Sequence, residues 1–134
     1  MTVEYARTEW DRALEAFRAA QLLIAHGGFD SAGSRAYYAA FHAVTALFAL
    51  EDQTFTKHSM LEVAVHRDLV KTGRWSADLG RDYRFCLDVR GVGDYGSDVR
   101  VDESQARDAI QAAHRILRVV HAALPTEFPV VSGG

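Results

Sequence analysis

At 134 residues the chain suits one domain around one core, and with 49% hydrophobic and 25% charged residues it has an ordinary globular composition. A formal net charge of −3 argues against a non-specific grip on nucleic acid, which needs many phosphate-neutralising cations, and no apolar run approaches the ~20 residues of a membrane span. The single cysteine, Cys86, excludes an internal disulfide and, set in the apolar run YRFCL, reads as a buried structural thiol in a reducing cytoplasm.

The first predicted helix covers about residues 3–25. Val3, Ala6, Trp10, Leu14, Phe17, Gln21 and Ile24 recur at three and four, which gives one mostly apolar stripe. Acids are spread through the same stretch, so it reads as neither a signal nor a transit peptide. His26, Gly27 and Gly28 end it, because glycine takes up the left-handed C-cap geometry without strain. Asp30 or Ser31 is the expected cap of a second helix over residues 32–50, apolar almost all round and so the predicted central element. A polar connection, EDQTFTKH, leads to a shorter third helix, SMLEVAVHRDLVKT, stopped by Gly73. Ser76 is placed to cap a fourth helix that ends near Arg90, where RGVGDYG reads as a glycine-rich break. Asp102, with Gln105 three residues on, forms a capping-box start for a fifth helix. Its stripe of Ala106, Ile110, Ala113, Leu117, Val120 and Leu124 runs to Pro125. The expectation is an all-α, up-and-down bundle of four long helices plus one shorter one. It forms a single domain over residues 1–124, with a flexible tail over 125–134.

The residues that could carry chemistry are few. Glu62 and His66 stand four apart once only, the second helix offers no carboxylate between Asp30 and Glu51, and there is no cysteine pair, so no metal centre is expected. The glycines of RGVGDYG have G-x-G-x-x-G spacing but follow a helix rather than a strand, which removes the dinucleotide reading. Arg35 and His42 are seven apart on one face of the second helix, about 10 Å along its axis. Both can line one surface; alternatively Arg35 pairs with a carboxylate and His42 is packed with one hydrogen bond. Tyr37, Tyr38 and Phe41 read as core or dimer packing. His58, at the start of the third helix, is a generic acid or base. Arg90, Asp94 and Tyr95 in the break form either a site or a corner in which Arg90 pairs with Asp94 and closes the connection between the fourth and fifth helices.

SRAYYAAFHAVTALFAL in the second helix, KHSMLEVAVHRDLVKTG in the third, and the Arg-x-x-x-Asp-Tyr of Arg90, Asp94 and Tyr95 together resemble the HEPN superfamily. The likeness extends over about residues 17–124. It implies a helical bundle that dimerises and a link to RNA or nucleotides. Many members are metal-independent endoribonucleases, often toxins encoded beside a nucleotidyltransferase antitoxin. The resemblance also implies a site in which an arginine is followed four to six residues later by a histidine, with two copies meeting across the dimer. Arginine offers a permanent forked cation for phosphate oxygens, and histidine a pKa near neutrality.

Arg90 matches that arginine. The window after it holds Asp94, Tyr95 and Gly96 and no histidine, and unperturbed carboxyl and phenol groups titrate near 4 and 10. The expected function is therefore a cytoplasmic HEPN-type homodimer that binds RNA, a nucleotide or a nucleotidyltransferase-type antitoxin in a toxin–antitoxin-like system. Its site centres on Arg90 and Tyr95, with His58, Arg35 and His42 as further binding candidates. The alternative is a metal-independent endoribonuclease using Arg90, Asp94 and Tyr95 as a variant catalytic motif. Neither reading needs a cofactor. The resemblance further implies Tyr95 as a target for nucleotidylation.

Overall fold

The computed structural model describes residues 2–95 and 98–131, with the backbone alone at Tyr95. Its helices are α1 (Thr2–Ala25), α2 (Phe29–Leu50), α3 (His58–Ala64), α4 (Ala77–Tyr95) and α5 (Glu103–Ala122). A π-helical segment, Val65–Val70, continues α3 with widened turns, one of them closed by Lys71 N–H donating to the His66 carbonyl. No strand occurs among the described residues, and none of their helices is long and apolar enough to cross a membrane. The all-α bundle expected from the sequence is the fold.

As its pattern predicts, α2 is the central element, packed against α1, α4 and α5. Ala32, Ala36, Ala39, Ala40, Ala43, Ala46 and Ala49 are buried along it, and Ala106, Ala109, Ala112 and Ala113 along α5. Such short side chains let backbones approach closely, while Trp10, Phe17, Tyr37, Phe48 and Ile116 fill the volume between them. Each of these larger groups contributes roughly 1.5–3 kcal/mol through burial. Val3 falls off the expected α1 stripe and is exposed, since only the turns from Ala6 onward face the core.

Two helix starts and one stop follow the local chemistry that marks them, and one marked start does not. Ser76 Oγ accepts from Leu79 N–H at 3.1 Å, and Asp102 and Gln105 form the full capping box on α5. Gly73, at φ +87°, stops the third helical segment. The exception is α2, which starts at Phe29 without a side-chain cap. Asp30 lies inside its first turn and reaches away from it, accepting from Val101 N–H at 2.8 Å and Arg100 Nε at 2.6 Å. This corrects the expected capping role of Asp30 or Ser31. These bonds also hold the Asp30 carboxyl below the usual range against the opposing effect of desolvation. The backbone N–H contributes most, with Arg100 assisting.

The glycine-rich stretch is not a break. α4 runs through Gly91 and Gly93 to Tyr95, which places Arg90 and Asp94 on a helix. Gly93 serves close approach: a Cβ there would lie 3.0 Å from the Asp30 carbonyl oxygen. Gly33 of α2 does the same from the other side, since an added Cβ would meet Val89 Cγ1 at 2.7 Å. The last turns of α4 therefore lean on the first turns of α2.

After Leu124, in the stretch expected to be a flexible tail, Phe128 and Val131 pack against the core while Val130 is exposed. Phe128 is 1% exposed, Trp10 Nε1 donates to the Pro129 carbonyl at 2.8 Å, and the His121 ring lies 3.0 Å from the Phe128 carbonyl. One aromatic anchor and two ring-to-carbonyl bonds outweigh the entropy that two prolines already reduce.

Two stability predictions follow from this packing. Phe128→Ala is expected to lower the free energy of unfolding by about 3–5 kcal/mol in urea denaturation, the usual loss for a buried phenyl ring. A shift within about 0.5 kcal/mol would show that the tail is not docked. Gly33→Val is expected to cost about 1–3 kcal/mol through overpacking against Val89, and Val89→Ala to recover part of that in the double variant. Strict additivity would show that the two sites do not touch.

Candidate functional site

Three helices bring charged and aromatic side chains together on one flank of the bundle. α2 contributes Arg35, Tyr37, Tyr38, Phe41 and His42, α3 begins with His58, and α4 supplies Arg90 and Asp94. The spacing on α2 makes this possible: Tyr38 stands one turn from both Arg35 and His42, so the three share a face.

Arg90 is the centre. Its side chain is 16% exposed, forms an ion pair with Asp94 at 3.1 Å, and donates through Nη2 to the Tyr38 hydroxyl at 3.0 Å. Its guanidinium carbon lies 5.2 Å from the Tyr37 ring centroid and 5.3 Å from that of Tyr38, within cation–π range. The pairing of Arg90 with Asp94 exists, but inside α4 and against α2. The corner between α4 and α5 is pinned by Asp30 instead.

His58 meets the same aromatic group. Its ring stacks on Phe41 at 4.2 Å between centroids and lies 5.9 Å from Tyr37 and 5.8 Å from Tyr38. The Tyr37 hydroxyl and His58 Nδ1 are 3.1 Å apart, and when the phenol donates, the ring proton sits on Nε2. Burial pushes the His58 imidazole below its ordinary pKa, with the positive charge of Arg90 and then of His42 adding to the effect. Beneath them the Tyr83 phenol is fully buried and shifted well upward, chiefly by desolvation.

His42 and Arg35 divide the alternatives left open by their spacing. His42 Nδ1 lies 2.8 Å from Glu9 Oε1, a packed histidine with a carboxylate partner. Desolvation works to raise the buried Glu9 carboxyl, yet hydrogen bonds from His42 and Arg12 outweigh it and hold the group below the usual range. Arg35 has no such carboxylate among the described residues; its guanidinium carbon lies 4.7 Å from the Tyr38 centroid.

Sequence reasoning named Arg90, Asp94, His58, Arg35 and His42, and the structure brings all five onto this flank. The side chain of Tyr95 lies outside the described residues. Tyr37 and Tyr38, read as packing, are the platform that connects the others, and the Arg35–Tyr38–His42 spacing was the available signal. Glu9 was missed, because an acid within an apolar stripe has no partner visible in sequence. Among the described residues no three His, Cys, Asp or Glu side chains gather as a metal centre.

The lowered His58 pKa has a signed consequence. The folded protein takes up a proton at His58 less readily than the unfolded chain, so its contribution to stability is complete above the unfolded value of about 6.5. That contribution is lost as pH falls below this value towards the folded pKa. An NMR titration of the His58 ring is expected to give a midpoint below 6.5, and Arg90→Gln to move it part of the way back. A midpoint at or above 6.5 in the wild-type protein would place His58 in solvent, away from Arg90.

The comparisons with known proteins agree with this architecture. The HEPN domain profile matches residues 6–123. A Thermotoga maritima protein named UPF0332 protein is 36% identical over 118 residues, which span 88% of this chain and 87% of that relative. On both grounds, the chain belongs to the HEPN domain family.

Proposed function

We propose that the protein is an RNA- or nucleotide-binding module whose phosphate anchor is Arg90. The observation that carries this reading is the meeting of Arg90 and His58, from two different helices, over Tyr37 and Tyr38. A guanidinium among tyrosine rings keeps its charge while losing part of its water, which strengthens its attraction for a phosphate oxygen. Asp94 holds the guanidinium from its own helix, and the Tyr38 hydroxyl fixes it from α2. The wider setting rests on family habit alone: a cytoplasmic homodimer acting in a toxin–antitoxin-like system, with a nucleotidyltransferase-type partner and with Tyr95 as a target for modification.

A second reading, metal-independent RNA cleavage, is favoured by one specific feature. His58 supplies beside Arg90 the imidazole that the residues following Arg90 lack. Neutral at pH 7, and with its proton on Nδ1 donated to the Tyr37 hydroxyl, it would accept the proton of a 2′-hydroxyl at Nε2 as that oxygen bonds to phosphorus. The bond to the 5′-oxygen breaks, the leaving oxygen takes up a proton from water, and Arg90 offsets the charge gathering on the phosphate. The ends left are a 2′,3′-cyclic phosphate and a 5′-hydroxyl. In this role His58 replaces Asp94 and Tyr95 as the proton-transfer group.

Both readings meet one test: a mixed RNA pool with purified protein in excess EDTA. The expected result is retention of intact RNA by the wild type and about tenfold weaker retention by Arg90→Ala, the scale of one charge-assisted contact. Equal retention by Arg90→Ala would remove Arg90 as the anchor. Fragments with cyclic phosphate ends, made by the wild type and by neither Arg90→Ala nor His58→Ala, would establish the second reading.

A further inference from the structure

Resting on the RNA-binding reading above, we infer that this flank holds two consecutive phosphates of one RNA strand, the first at Arg90 and the next at Arg35. The two cations share Tyr38. Arg35 lies over the ring face, 4.7 Å from its centroid, while Arg90 reaches its hydroxyl end at 3.0 Å. Their guanidinium carbons are therefore within about 10 Å of each other. Like charges at that separation repel, and the repulsion is relieved when anions sit beside them.

The pairing of the other arginines sharpens the point. Arg12, Arg67, Arg74, Arg84, Arg100 and Arg115 each have a carboxylate partner. Arg35 has none among the described residues and yet is partly buried, unlike the exposed Arg18 and Arg118. In a chain of net charge −3, a partly buried arginine with no carboxylate within ion-pair distance among the described residues is placed for an anion from outside.

The shape beyond Arg35 favours a strand over a single nucleotide. A shallow groove of about 130 Å³ continues between α1 and α2, lined by Arg12, Glu15, Ala16, Ala19, Arg35 and His42. Ala16 and Ala19 add no bulk, and because Arg12 and His42 are bonded to Glu9, Arg35 is the lining cation without an ion pair among the described residues. A backbone leaving the second phosphate has a route along this groove.

The experiment is a fluorescence-anisotropy competition over a range of salt, with 2′-O-methyl uridylates that cannot be cleaved. The probes are a 5′-phosphorylated mononucleotide, the matching tetranucleotide and uridine diphosphate. Arg35→Ala is expected to weaken the tetranucleotide about tenfold and to reduce the steepness of its salt dependence by about 0.7, the single-strand value for one phosphate. It should leave the mononucleotide and the diphosphate unchanged, whereas Arg35→Lys should keep the salt dependence. Arg90→Ala should weaken all three probes. Tetranucleotide binding equal in the wild type and Arg35→Ala, with Arg90→Ala still weak, would overturn the second phosphate position and leave the binding reading standing. An equal loss for the diphosphate and the tetranucleotide in Arg35→Ala would overturn the strand. No effect of Arg90→Ala on any probe would remove the binding reading and this inference with it.

Discussion

The close approach of α4 to α2 is the constraint on which the flank depends. A helix carrying Arg90 meets a helix carrying Tyr38 only because Gly33 opens a seat for Val89, and Gly93 lets the last turn of α4 rest on the Asp30 carbonyl. Asp30 adds a second tie from the same turn of α2, through Val101 N–H and Arg100. Glycine inside a helix is destabilising by roughly 0.5–1 kcal/mol relative to alanine. Here that loss is set against interhelical packing that larger residues would block, as close-packed interiors require. The result is a short lever: small changes at Gly33 or Gly93 would displace Arg90 from Tyr38.

Once Arg90 is seated, its charge organises the neighbours. The rings of Tyr37 and Tyr38 face the cation with their electron-rich sides, and Asp94 balances it from within α4. The same cation adds to the burial that keeps the His58 imidazole neutral. One residue thus sets both the positive field and, in part, the protonation state of the group opposite. The acidity of the whole chain is compatible with this, because the positive field is confined to a few partly buried groups. On the proposed reading, a site of this kind would recognise phosphate where it fits, without the broad basic surface that indiscriminate nucleic-acid binding requires.

Much of the fold was legible because its signals are local. Apolar spacing located the long helices, and Ser76, Gly73 and the Asp102–Gln105 box marked ends where the side chain and its partner are three or four residues apart. The errors arose where a distant partner overrode a local preference. Asp30 looks like a cap, but Val101 and Arg100 take its carboxylate. Gly91 and Gly93 look like a break, but α4 persists because its backbone packs on α2. Phe128 looks like part of a loose tail, but His121 and Trp10 hold its own carbonyl and that of Pro129. The site was legible residue by residue and not as an arrangement. Arg90, His58 and Arg35 each stood out, while nothing in a linear reading says that Tyr37 and Tyr38 hold them together.

That difference bears on how a missing motif residue is judged. A motif written as an arginine followed by a nearby histidine records one way to place two groups in space, along a single helix end. The chemistry asks only that a permanent cation and a group able to carry a proton near neutrality face one phosphate. In this chain Arg90 keeps the position on α4, and the imidazole beside it comes from the first residue of α3. Tyr37 ties His58 to α2, so the imidazole is anchored to the same central helix that Tyr38 offers to Arg90. Two side chains remote in sequence are thereby fixed relative to each other through a shared scaffold. On the cleavage reading, the absence of histidine after Arg90 would be a change in where the ring enters the site, and by itself it says little about what the site can do.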